Sequence, residues 1–71
     1  MHHDNLVKMA NDISAFFAGD PDPASAVKGM VDHLNKFWDP SMRKAIVAHY
    51  RAGGEGLSEL SKDAIKRLAT S

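Results

Sequence analysis

His33 and His49 are the side chains in this 71-residue sequence with the widest chemical reach, because imidazole can relay a proton, act as a general base or ligate a metal near neutral pH. Each of those tasks needs company. A metal site needs several converging donors, commonly two histidines one helical turn apart, and no H-x-x-x-H or H-x-x-E pair occurs. His33 is flanked by Asp32 and Leu34 and reads as a surface or corner histidine, while His49 falls on an apolar helical stripe and reads as hydrogen-bonded or partner-facing. His2 and His3 stand in a terminus expected to fray, which makes a poor metal site. Nucleophilic chemistry has no support: the chain contains no cysteine, and no serine sits in a G-x-S-x-G elbow. Gly53-Gly54-Glu55-Gly56 could suggest a phosphate cradle, yet no strand pattern precedes it and no P-loop lysine follows. It reads instead as a turn requiring positive φ, or as a mobile hinge.

The elements that carry these residues are helical, with no strand pattern anywhere. A first helix is predicted from about Asn5 to Ala18, its stripe formed by Leu6, Met9, Ala10, Ile13, Phe16 and Phe17 at spacings of three and four. Lys8, Asn11, Asp12 and Ser14 fall mainly on its other side, and Gly19 is placed to end it. Asp22 as N-cap and Pro23 at the first position open a second helix, striped by Val27, Met30, Val31, Leu34, Phe37 and Trp38. Gly29 inside it is either a close-approach position or a tolerated surface glycine, at a cost of up to ~1 kcal/mol relative to alanine. Asp39-Pro40 starts a third helix running to about Arg51, with Met42, Ala45, Ile46 and His49 on one face. A fourth runs from Leu57 or Ser58 to Ala69, capped by Ser58 or Ser61, with Leu57, Leu60, Ala64, Ile65 and Leu68 apolar. The expected fold is therefore all-α, a small bundle of three to four short helices. It forms one domain over residues 1–71, with residues 1–4 as a flexible terminus. Met9, Phe16, Met30 and Phe37 are expected to be largely buried, so that Phe16→Ala would cost about 3–5 kcal/mol.

Composition narrows the function classes. A chain this short buries only about 60% of its unfolded surface, so small domains lean on disulfides, metals or partners. Disulfides and thiolate sites are excluded by the absence of cysteine. With 44% hydrophobic residues the chain is too apolar to be disordered, which leaves a partner as the remaining stabiliser. Nine basic and nine acidic residues cancel, with no basic block for nucleic acid. No apolar run approaches the ~20 residues of a membrane span, and the N-terminus lacks the pattern of a signal peptide. A cytoplasmic location is expected.

The segment Phe37-Trp38-Asp39-Pro40-x-Met42-Arg43 holds the only tryptophan at a sharp corner, because the residue before a proline is pushed out of the helical region. It resembles the central motif of the delta subunit of NAD-dependent, molybdenum-containing formate dehydrogenases. Further parts of that pattern follow in order. They are Leu6-Val7-x-Met9-Ala10-Asn11-x-Ile13-x-x-Phe16-Phe17, then His33-Leu34, His49, Gly53-Gly54-x-Gly56-Leu57, and Ala64 with Leu68. The resemblance spans roughly residues 5–68, and nothing is carried over from Asp20-Pro21-Asp22-Pro23.

What the resemblance implies is a complex in which a large alpha subunit carries the molybdenum–pterin site and other subunits carry iron–sulfur clusters, flavin (FMN) and the NAD site. This chain has no cysteine for a cluster and no motif for pterin, flavin or nicotinamide. The expectation is a non-catalytic, cofactor-free accessory subunit. It would dock on the large molybdenum-binding subunit and support assembly, stability or cofactor insertion. Trp38, Met42, Arg43 and His49 are the expected partner interface, since aromatic and arginine side chains anchor interfaces; the competing expectation is that Trp38 is internal core and Arg43 merely solvated. The alternative function is a free-standing helical interaction module, a homodimer or amphipathic-helix binder unrelated to formate oxidation.

Overall fold

A computed structural model describes residues 3–70, and among them four helices and no strand. The helices are α1 (His3–Phe17), α2 (Pro23–Phe37), α3 (Pro40–Arg51) and α4 (Glu59–Thr70). Met1 and His2, with the expectations attached to them, lie outside the described residues; α1 starts two residues before the expected Asn5.

The helix starts follow from local chemistry. The Asp22 carboxylate accepts the Ala24 N–H at 3.1 Å with Pro23 beside it, and Asp39 accepts the Met42 N–H at 3.0 Å and the Ser41 hydroxyl at 2.7 Å with Pro40 beside it. Of the two serines that could cap α4, Ser58 does so: its hydroxyl accepts the Ser61 N–H at 3.1 Å. Trp38 leaves the helical region with ψ 137 and ends α2, as the following Asp39-Pro40 demands. The glycine run is a turn of the positive-φ kind, with φ of 127, 66 and 85 at Gly53, Gly54 and Gly56.

α4 packs against the other three helices, and most extensively against α2. Leu6 and Ala10 of α1, Met30, Val31 and Leu34 of α2, Trp38 at the corner, Ile46 of α3, Leu57, and Ala64 and Ile65 of α4 form one core. Gly29 is a close-approach position: a Cβ there would stand 2.7 Å from Cε1 of Phe17, so the ring of α1 lies directly on the backbone of α2.

Three of the four expected core side chains are not in the core. Met30 is fully buried, but Met9, Phe16 and Phe37 are 41%, 79% and 71% exposed. The reason is the rotation of α1. Its buried line runs through Leu6, Ala10 and Ser14, positions four apart on one face, because α4 packs on the Ser14 side. Ser14 and Asn11, expected on the polar side, therefore turn inward, and Met9 and Phe16, seven residues apart on another face, turn out. At the corner only one of two adjacent aromatics can enter the core, and Trp38 does so at 5% exposure while Phe37 points away.

Candidate partner-docking surface

The seam between α1 and α2 carries an aromatic row. Phe16 meets Phe17 edge-to-face with ring centroids 5.1 Å apart, Phe17 meets His33 at 6.2 Å, and His33 meets Phe37 at 4.7 Å with the planes tilted by 43°. The row is set by the helices. Phe16 and Phe17 end α1, His33 and Phe37 stand one turn apart on α2, and the glycine at 29 lets the two helices approach.

Two shallow grooves flank this row and share Asp12, Ile13 and His33. One is completed by Phe16 and Phe17, the other by Met9, Phe37, Trp38 and Met42. The face is apolar and open to solvent, and contiguous exposed apolar surface of this sort marks interaction sites on soluble chains. Met9, Phe16 and Phe37, expected in the core, thus form part of this surface. A signal was present in the width of the α1 stripe: six apolar residues ending in adjacent phenylalanines cover more of a helix than one neighbour can bury.

The four residues expected at the interface are distributed differently. Trp38 is core, and with Met42 it also lines the second groove. Arg43 folds back over the corner, where Nη1 donates to the carbonyl of Trp38 and, at 3.4 Å each, to those of Leu34 and Asn35. Leu34 and Asn35 belong to the last turn of α2 and Trp38 is its C-cap, and a cation at a helix C-terminus is favoured by the outward-facing carbonyls and by the helix dipole. His49 lies elsewhere, with Nε2–H donating to the Glu55 carbonyl at 2.7 Å and so bracing the glycine turn. The Glu55 oxygen only accepts, which fixes the proton on Nε2.

A polar cluster links α1 to α4 on the opposite side. Asn11 Nδ2 donates to the Gly56 carbonyl at 2.8 Å, and its Oδ1 accepts from the Ser58 N–H at 2.9 Å and the Ser61 hydroxyl at 3.0 Å. The Ser14 and Ser58 hydroxyls are 2.9 Å apart. Among the described residues, Asp39 and Asp20 have displaced acidity. The Ser41 hydroxyl and then the Met42 N–H hold the Asp39 carboxyl below its ordinary value, and the Asp22 N–H and then the Ser25 hydroxyl do the same for Asp20. Asp39 caps α3, and Asp20 orders the turn ahead of α2 by accepting the Asp22 N–H at 2.9 Å.

Among the described residues no three His, Asp or Glu side chains gather where an ion could be held, and the chain has no cysteine. No described helix is long and apolar enough to cross a membrane.

No curated protein and no solved structure gives a significant match to the chain. One protein-family model does match, that of the NADH-dependent formate dehydrogenase delta subunit, FdsD, over residues 5–65. That match takes in the corner, the aromatic row and the Asn11 cluster, and the chain belongs to the NADH-dependent formate dehydrogenase delta-subunit family.

Proposed function

We propose that this chain is a cofactor-free accessory subunit of an NAD-dependent formate dehydrogenase in the cytoplasm. It docks through the Met9–Phe16–Phe37 face on the large molybdenum-binding subunit, and its role is assembly, stability or cofactor insertion rather than catalysis. The observation that carries the reading is the exposure of Phe16 and Phe37 on one face, in a chain whose family is defined as a subunit. Covering two such phenylalanines contributes on the order of 4 kcal/mol, about half of what micromolar binding requires. The remainder comes from the rest of the contact, with Met9, Ile13 and Met42 around the aromatics and Trp38 as their floor. Arg43 and His49 serve it at one remove, by holding the corner and the glycine turn. Pterin, cluster, flavin and nicotinamide chemistry stays with the other subunits.

The test is co-expression of tagged large subunit with the wild-type chain or with a Phe16→Glu/Phe37→Glu variant. Circular dichroism checks folding, and capture, molybdenum content and formate-dependent NAD reduction are the readouts. The folded double variant should fail to be captured, and the complex lacking the chain should lose molybdenum or activity faster. Capture at wild-type strength sinks the reading. A homodimer through the same face is the second reading, carried by the same exposure. Sedimentation of the isolated chain separates the two, because only the homodimer makes the wild-type mass rise with concentration and the variant's stay monomeric.

A further inference from the structure

Asp12 stands where the two apolar grooves meet and lines both of them. Among the described residues lining these grooves it is the acidic one, and no lysine or arginine lines either. Its present partner is Lys8, 3.1 Å away on the preceding turn of α1, with both side chains largely exposed at 77% and 68% for Lys8 and Asp12. Pairs of that kind are weakly held and exchange readily with another cation. Covering this junction with apolar groups alone would strip water from the Asp12 carboxylate and leave it only a loosely held lysine, so a cation brought by the covering segment is favoured.

We infer that the segment covering this face is apolar and carries an arginine that takes Asp12 from Lys8. Arginine is the cation that suits both neighbours at once. Its guanidinium pairs with a carboxylate through two parallel N–H donors, and its flat face stacks on rings such as Phe16 and Phe37. The inference rests on the docking reading above and adds the chemistry of what docks: aliphatic or aromatic anchors against Met9, Ile13, Phe16 and Phe37, with one guanidinium at the junction. Asp12 supplies register and specificity, and the aromatics supply most of the affinity.

Three versions of the full-length chain, wild type, Asp12→Asn and Asp12→Lys, are titrated onto formate dehydrogenase complex purified without this subunit, at about 50 mM and about 500 mM salt. Because Asp12 is exposed, the variants should fold like wild type, which circular dichroism checks. Wild-type binding should weaken with salt, Asp12→Asn should bind more weakly with a flatter salt response, and Asp12→Lys should bind about tenfold or more below wild type. The Phe16→Glu/Phe37→Glu variant runs alongside. Undiminished binding by that variant overturns the docking reading and this inference with it. Loss of binding by that variant, with Asp12→Asn and Asp12→Lys matching wild type in affinity and salt response, overturns this inference alone.

Discussion

Asn11 Oδ1 accepts a hydrogen bond from the backbone N–H of Ser58 at 2.9 Å, joining the middle of α1 to the residue that caps α4 across 47 positions of chain. The same side chain donates to the Gly56 carbonyl, so one amide satisfies both sides of the turn that follows Gly53-Gly54. A helix start needs acceptors for its first N–H groups, and here part of that need is met from another helix.

Asn11→Ala should therefore destabilise the chain more than an ordinary half-exposed substitution. Loss of the amide leaves the Ser58 N–H and the Gly56 carbonyl without their partner, at a cost of about 2 kcal/mol and a fall in Tm of roughly 8–16 °C. A thermal melt followed at the helical circular dichroism band measures it. A fall below about 2 °C would mean that water replaces the amide without loss.

The exposed aromatics and the buried aliphatics should separate cleanly in stability. Phe16→Ser, on the open face, should change unfolding free energy by no more than about 0.5 kcal/mol, whereas Leu34→Ala, fully buried, should cost about 2–5 kcal/mol. Urea unfolding of the two variants is the measurement. A large loss at Phe16 would place that ring in the core after all.

Arg43→Met keeps the length of the side chain and removes its donors to the end of α2. The loss should be about 1–2 kcal/mol, since three carbonyls share the guanidinium and part of the site is open to water. Trp38, the only tryptophan, reports on the same corner, so its fluorescence should shift to the red in the variant. Unchanged emission and stability would mean that Asp39-Pro40 alone sets the corner.

Acid should weaken the start of α3 through Asp39. Its carboxyl is held below the ordinary value in the folded chain, so its stabilising contribution is present above the unfolded carboxylate value and is lost as pH falls through the folded one. Asp39→Asn keeps a capping oxygen without a titrating group. The advantage of wild type over Asp39→Asn, measured by urea midpoints, should shrink between about pH 7 and about pH 2.5. A difference that stays constant across that range would show that the charge of Asp39 contributes nothing.

Which parts were legible beforehand follows from the range of the interactions. The four helices, the Asp22-Pro23 and Asp39-Pro40 starts and the positive-φ glycine turn were readable from the sequence, because caps, proline geometry and glycine φ act within a few residues. The family was legible for a related reason, since its motifs lie along the chain in order. The rotation of each helix about its axis was not. A stripe as wide as that of α1 leaves several rotations nearly equal in apolar burial, and the choice fell to non-local partners: the Asn11–Ser14–Ser58–Ser61 cluster on one side and the Gly29–Phe17 contact on the other. That choice put Ser14 inside and Phe16 outside, and at the corner it put Trp38 inside and Phe37 outside. Local chemistry set where the helices begin and end; only packing among four of them decided which apolar side chains became core and which were left as a surface.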